Sequence, residues 1–339
     1  MNEKEILLEI KNLKTYFPIK SSNLLGKGGQ AKAVDGVSFE LYKGETLGIV
    51  GESGSGKSTL GRTILRLIEP TEGEIIFEGH PLQQLKRRKL QEHRKYMQMV
   101  FQDPFASLNP RKRVEQIIEE PLAEQKVLSK SERSRKVEEL ITKVGLPKES
   151  LKKFPHEFSG GQRQRIGIAR ALSMNPKFII ADEPVSALDV SIQSQVLNLM
   201  MDLQDEFDLT YLFISHDLSV VKHISDRVGV MYLGRIVEIG TKKEIFENPQ
   251  HPYTKALLSA IPVVNFEGEK QAIQLTGEPP SPANPPTGCA FHPRCPFAME
   301  SCKIERPNLI QFEDRQQVAC HLYSEEEFYS KAENSTSAI

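Results

Sequence analysis

Apolar positions along this chain recur in two rhythms, and the change from one to the other marks the elements. Near the start, Leu7 to Ile10, Val37 to Leu41 and Thr46 to Val50 are short apolar runs that read as strands. Gly36 and Lys43-Gly44 mark turns, and Gly26-Lys27-Gly28-Gly29 reads as a flexible loop. A glycine-rich turn after Val50 leads into an expected helix from Ser58 to Leu67, and Gly73 and Gly79 bracket a strand, Glu74 to Phe77. Ser129 with Glu132 forms a capping box, and Val137, Leu140, Ile141 and Val144 then recur at helical spacing. Gly145 and Pro147 stop that helix. Phe178 to Ala181 and Tyr211 to Ser215 are too short for helices, and alternate with helical stretches at Gly161 to Met174 and Ser191 to Phe207. Strands alternating with helices imply an α/β fold with a mainly parallel, covered sheet.

The pattern changes after about Pro262. Glu278 to Pro286 holds five prolines and reads as an extended linker, because proline suits neither a helix interior nor a central strand. Ser330 to Ile339 is small and polar, which predicts a disordered tail. No internal repeat at solenoid periods is visible.

Composition narrows the classes. With 339 residues the chain can bury a full core, as one large domain with an appendage or as two domains. Hydrophobic residues at 39% and charged residues at 26% exclude disordered and fibrous classes. Forty-four basic against 45 acidic residues give a formal charge of -1, which favours no nucleic-acid partner. The basic runs Lys86 to Lys89 and Arg111 to Arg113 read as solvated faces. No apolar run approaches the ~18 to 20 residues that span a bilayer. Met1 to Glu5 lacks a secretory pattern. The expectation is a cytosolic chain that reaches a membrane only through a partner.

Three motifs carry chemistry. Gly51-Glu52-Ser53-Gly54-Ser55-Gly56-Lys57-Ser58-Thr59 fits G-x-x-x-x-G-K-[ST] between an expected strand and an expected helix. Its glycines let backbone N–H groups curl around phosphate oxygens at a helix N-terminus. Lys57 would reach the outer phosphates, and the Ser58 hydroxyl would ligate magnesium. A glycine-rich turn alone would explain neither the lysine nor the hydroxyl. Phe178 to Ala181 is a buried strand that runs into Asp182 and Glu183. Asp182 is placed to hold magnesium, and Glu183 to polarise the attacking water. Phe158-Ser159-Gly160-Gly161-Gln162-Arg163-Gln164-Arg165 opens a helix and forms a second anion site. A plain serine N-cap would explain Ser159 but not the glutamine-arginine run behind it. One nucleotide hardly needs two such sites on one subunit, so this one reads as facing a nucleotide bound to another subunit.

From about Leu7 to Pro249 the chain thereby resembles the nucleotide-binding subunits of ABC transporters. The resemblance implies a P-loop NTPase cassette: a RecA-like core, an antiparallel β subdomain and a helical subdomain. It implies that Gln102 touches magnesium and water and senses the transmembrane subunit. Ser186-Ala187-Leu188-Asp189 would couple two active sites across a dimer, His216 would contact the γ-phosphate, and Phe17 or its neighbour Tyr16 would stack on adenine. Within that family, three segments resemble the oligopeptide and dipeptide permease group: Gln102 to Pro110, His251 to Leu258, and Gly288 to Pro296. The resemblance then extends to about Tyr323. It implies a cassette over residues 1–250 with a helical subdomain over about 103–175. A small cysteine-bearing extension over 251–325 and a disordered tail over 326–339 complete the expected division.

The implied mechanism is a head-to-tail dimer with a second, related cassette subunit, closing on two ATP molecules. Lys57, Ser58, Thr59 and the amides of Gly51, Ser53, Gly54, Ser55 and Gly56 would hold phosphates and Mg²⁺. Gln102 and Asp182 would share the metal shell. Ser159, Gly160, Gly161, Gln162 and Asp189 would complete the partner's site. Closure would drive two transmembrane permease subunits fed by an extracytoplasmic solute-binding protein. The chain would then sit peripherally on the cytoplasmic face of the cell membrane, with no nucleic acid bound. The alternative is an ABC-type ATPase of a soluble nucleic-acid or ribosome-associated machine.

All four cysteines, Cys289, Cys295, Cys302 and Cys320, fall in the last sixth of the chain. Four thiolates in a reducing compartment suit an iron–sulfur cluster or structural zinc, and plain free thiols are the third reading. Zinc usually takes a close Cys-x-x-Cys pair, which is absent, and some members of the resembled group carry a [4Fe–4S] cluster in this extension. A cluster predicts broad absorbance near about 400 nm in anaerobically purified protein, and colourless, iron-free protein would refute it.

Overall fold

The computed structural model of the chain describes residues 5–19, 29–125, 128–260, 277–313 and 316–323. The start of the chain at residues 1–4, the loop at 26–28 and the expected disordered tail, 326–339, lie outside the described residues. Two compact units form, each from separate stretches. The first takes Met1–Leu8, Leu41–Thr46 and Ile76–Ser215, and the second takes Glu9–Glu40, Leu47–Ile75 and His216–Ile339.

In the first unit, strands Met97–Val100, Phe178–Asp182 and Thr210–Ile214 lie parallel, with Met97 opposite Phe178 and Phe178 opposite Thr210. Every residue of the last two is buried, as expected for apolar runs covered on both faces. Helices Val114–Gln125, Lys130–Lys143 and Gly160–Leu172 pack on one another, and the third also packs on Val190–Phe207. The capping box forms as expected: Ser129 N–H donates to Glu132 Oε2 at 2.7 Å, and Glu132 N–H donates to Ser129 Oγ at 3.3 Å. Helix Val114–Gln125 escaped the sequence reading because Pro121 sits inside it. A mid-helix proline costs about 3 kcal/mol. Burial of Val114, Ile117, Ile118 and Leu122 outweighs that, at about 1.5–3 kcal/mol for each large apolar side chain.

In the second unit, residues 47–50 of strand Thr46–Val50 pair in parallel with Arg227–Tyr232. Arg235–Thr241 pairs antiparallel with Arg227–Tyr232, Gln316–Val318 with Arg235–Thr241, and Ile310–Glu313 with Gln316–Val318. The C-terminal segment thus adds two strands to this sheet. Strands Ile6–Pro18 and Gln30–Tyr42 both run 13 residues, longer than their apolar cores suggested. Asn12 explains the first: its φ of 46° breaks the in–out alternation after Ile10, and its N–H is secured on Ser38 Oγ at 2.8 Å. The helix expected to reach Leu67 is Lys57–Ile64. Arg66, at φ 52°, turns the chain so that Leu67 and Ile68 N–H fold back onto Arg62 O. Glu278 to Pro286 forms neither helix nor strand, as expected, and Lys32 N–H donates to its Pro282 carbonyl at 3.0 Å.

Two features fasten the extension. Tyr232, Tyr253 and Phe291 are buried, with ring centroids 4.6 to 5.4 Å apart. Glu238, fully buried on its strand, accepts Gln250 N–H at 2.7 Å, His251 N–H at 3.0 Å and Gln316 Nε2 at 2.7 Å. Those donors replace the water that a buried carboxylate loses.

His251 is buried, and its Nδ1 accepts Tyr253 N–H at 3.0 Å, so the ring must be neutral. Burial first, and the Lys255 charge second, lower its pKa to about 3. A histidine whose folded pKa is depressed contributes stability above its unfolded value of 6.5, and that stability is lost as pH falls toward the folded value. Between about pH 6.5 and 4.5 the thermal midpoint should therefore fall more steeply for the wild type than for His251→Asn, which caps without titrating. Equal slopes in a thermal-shift series would remove His251 from the account.

Candidate functional site

The second unit carries residues 51–59, the loop expected to hold phosphates. Strand Thr46–Val50 is buried throughout and delivers the chain to Gly51. A side chain at Gly51 would place its Cβ 2.1 Å from Met231 O, and one at Gly56 would place it 2.0 Å from Ala33 O. Gly56 also holds φ 101° as the residue before helix Lys57–Ile64. No side chain caps that helix, which leaves its first amides directed into the loop. Ser55 Oγ is buried with no hydrogen-bond partner among the described residues. Lys57 is buried as well, and its ammonium donates to Gly51 O at 2.7 Å and Glu52 O at 3.0 Å. Ser53 and Gly54 are exposed at the loop's crest, and Ser58 and Thr59 follow Lys57 in the first helical turn. Uncapped amides, a buried ammonium and an orphan hydroxyl form a cradle that fits a chain of phosphates with its Mg²⁺.

Two further residues of this unit were expected at the nucleotide. His216 is exposed, just ahead of helix Leu218–Ile224, whose Asp217 cap accepts Ser219 N–H at 2.7 Å. Tyr16 and Phe17 separate into different roles. The Tyr16 hydroxyl donates to Asp35 Oδ1, and the Lys32 ammonium lies 5.6 Å from its ring centre. Asp35 also pairs with Arg235 at 3.1 Å and Arg306 at 2.8 Å. Burial pushes the Asp35 carboxyl up, but the Tyr16 hydrogen bond and the two guanidinium groups together hold it below its usual range. Phe17 keeps an exposed ring.

The first unit carries the acidic pair. Asp182, fully buried, ends its strand. Glu183 follows at φ 47°, a left-handed conformation rare for a non-glycine residue. Its N–H donates to Ile214 O at 2.8 Å. Gln102 Nε2 donates to Glu183 Oε2 at 2.8 Å. Two predicted residues separated by 81 positions therefore meet.

The Ser159 turn is a capping box: Ser159 N–H donates to Gln162 Oε1 at 3.0 Å, and Gln162 N–H donates to Ser159 Oγ at 3.4 Å. The serine is thus both a helix cap and an exposed hydroxyl. A Cβ at Gly160 would lie 3.1 Å from Leu188 Cδ2, and one at Gly161 would lie 2.4 Å from Ile192 Cγ2. Gly160 therefore seats this turn against the loop Ser186 to Asp189, and Gly161 seats it against Ile192 in the first turn of helix Val190–Phe207. Sequence reasoning assigned no role to two arginines of this helix. The Arg163 guanidinium lies 4.9 Å from the Phe105 ring centre, and Arg170 Nη1 donates to Ser107 O at 2.5 Å. They tie the loop after Gln102 to the Ser159 helix, and no local signal marks either partner.

The four cysteines are free, Cys302 buried and the other three half-buried. Cys289 N–H donates to Cys302 O at 2.8 Å, and the Cys302 sulfur accepts Met299 N–H at 3.5 Å. Burial, and then the neighbouring sulfurs, push the Cys320 thiol up to about 12. Among the described residues, no three cysteine, histidine or acidic side chains converge as a ligand set. The arrangement does not fit a bound cluster as it stands.

Comparison with known proteins identifies the family. The family "ABC transporter" matches residues 34–186, and "Oligopeptide/dipeptide transporter, C-terminal region" matches residues 237–302. The chain is 60% identical to the oligopeptide transport ATP-binding protein AppF of Bacillus subtilis, over 95% of this chain and 98% of that protein. It is 55% identical to the dipeptide transport ATP-binding protein DppF of Haemophilus influenzae, over 94% of this chain and 98% of that protein. Among solved structures, a dimeric post-hydrolysis state of the ATP-binding cassette MJ0796 bound to ADP and Pi superposes with a TM-score of 0.62. It is 28% identical and covers 70% of this chain and 99% of that one. The cbiO1 subunit of the Clostridium perfringens cbiONQ transporter gives 0.62 at 29% identity, over 72% of this chain and 92% of that one.

Proposed function

Because the chain belongs to the ATP-binding subunits of oligopeptide and dipeptide ABC transporters, we propose that it hydrolyses ATP to energise peptide import. The observation that carries the chemistry is the Gln102–Glu183 contact beside Asp182. The strand ends on the buried Asp182 carboxylate, which this reading gives to the metal, and Glu183, held by Gln102, follows one residue on for the water. The alternative of a soluble nucleic-acid or ribosome-associated machine gives way to the near-full-length likeness to peptide-transport subunits.

In this reading Lys57 and the amides of residues 51–56 hold the phosphates. Ser58, Gln102 and Asp182 are the residues that would hold Mg²⁺, which would supply charge neutralisation at the phosphates. Glu183 accepts a hydrogen bond from the attacking water and orients it, while Gln102 holds the carboxylate in place until water arrives. His216 orders the γ-phosphate, and the exposed Phe17 ring, rather than the hydrogen-bonded Tyr16, stacks on adenine. Ser159, Gly160, Gly161, Gln162 and Asp189 complete the site of a second cassette, and that partner is a related but different chain. Positioning and electrostatics supply most of the rate, since phosphoryl transfer asks for little covalent help.

Among the described residues no helix is long and apolar enough to cross a membrane. From the likeness to peptide-transport subunits, in this reading the chain works through two transmembrane permease subunits, on the cytoplasmic face, with cargo delivered by an extracytoplasmic solute-binding protein. We propose the division into a cassette over 1–250, with a helical subdomain over 103–175, and an extension over 251–325. The extension's four thiols can accept an iron–sulfur cluster only if their side chains rearrange, and no step above depends on one.

Glu183→Gln should bind ATP, accumulate as a closed dimer on size-exclusion chromatography and lose turnover by about a hundredfold or more. Near wild-type turnover would contradict the role of Glu183. Gentle solubilisation of native membranes and mass spectrometry of co-purifying chains should recover two multispanning proteins, a second cassette subunit and a solute-binding protein. Recovery of ribosomal or DNA-repair proteins from the soluble fraction would overturn the transport reading.

A further inference from the structure

The extension does more than add strands to a sheet: it grips the phosphate loop at one residue. Glu52, the second residue of that loop, has three polar groups, and the structure ties each of them. Its N–H donates to the hydroxyl of Tyr253 at 2.9 Å, across 201 residues of chain. Its carboxylate receives the Arg294 guanidinium as a fork, Nη1 to Oε2 at 2.7 Å and Nη2 to Oε1 at 3.0 Å. Its carbonyl accepts from the Lys57 ammonium at 3.0 Å. Two of these ties come from the extension, and the third reaches the residue that holds phosphate.

The gripping groups are themselves rigid. Tyr253 is fully buried, and the Arg294 side chain is 5% exposed. Arg294 also lies 3.4 Å from the Tyr232 hydroxyl and 6.0 Å from its ring centre. Tyr232 packs on Tyr253 and Phe291. A bidentate guanidinium–carboxylate pair fixes orientation as well as distance. Fixing a loop in its bound shape beforehand removes an ordering cost from ligand binding. Fastening the extension alone would not require contacts at this loop, because the aromatic trio and Glu238 already provide attachment.

We propose that Tyr253 and Arg294 are positioning residues for ATP binding, acting through Glu52 on the loop and on Lys57. The proposal rests on the reading of residues 51–59 as the ATP loop. It makes the extension part of the nucleotide site's support, so the affinity for ATP answers to the state of the C-terminal segment.

The test uses the full chain and two mild variants, Tyr253→Phe, which removes one hydroxyl, and Arg294→Lys, which keeps the charge but not the fork. Fluorescent-nucleotide titration should show ATP affinity lowered about tenfold in Arg294→Lys, and by less in Tyr253→Phe. In ligand-free protein, amide exchange should quicken at residues 51–56 and stay unchanged at Gln316–Val318. In turnover assays KM should rise while kcat holds. Unchanged affinity and unchanged loop exchange, with only a lowered melting temperature, would overturn the proposal and leave the contacts as attachment. If Arg294→Lys fails to fold, Tyr253→Phe decides by the same two readouts. Lys57→Ala serves as the control. If it binds ATP as tightly as the wild type, the reading of the loop itself has failed, and not the role of the extension.

Discussion

The structure of this ATPase subunit depends on how closely neighbouring backbone crowds the phosphate loop. Met231 O and Ala33 O stand about 2 Å from where side-chain carbons at Gly51 and Gly56 would lie. Only glycine allows the chain to pass. Lys57 then folds back and donates to the carbonyls of Gly51 and Glu52, so its ammonium helps the loop to keep its shape. Preorganised charge of this kind costs no reorganisation when a polyanion arrives.

The same logic governs the acidic end. A non-glycine residue in the left-handed region costs of order 1–3 kcal/mol, and the chain accepts that strain at Glu183. The hydrogen bond to Ile214 O and the Gln102 amide offset part of it. The arginines Arg163 and Arg170 tie the loop after Gln102 to the helix that Ser159 caps, so movement at either would be felt at the other.

The extension is held by a buried carboxylate and an aromatic trio. Glu238 tolerates full burial because backbone amides and Gln316 replace its hydration. The prolines after Glu278 were legible as non-regular chain, but not that Lys32 would dock on Pro282.

Much of this was present in the one-dimensional chain, where interactions are local. The capping box at Ser129, the phosphate loop, the uniformly apolar strand before Asp182 and the Ser159 turn each involve residues within a few positions, so their spacing alone specifies them. Strand ends and helix ends were less legible. Asn12 and Arg66 adopt left-handed conformations that their identity does not announce, and Pro121 sits in a helix that only burial sustains. Most pairings across the chain were not legible: the Tyr16 hydroxyl is held by Asp35, and the grip on Glu52 comes from residues 201 and 242 positions away. The sequence by itself determined which chemistry is available, because chemistry resides in residue types and short spacings. The tertiary structure alone decided which of those residues are held still, because a hydrogen bond or an ion pair depends on distances that only the folded chain sets.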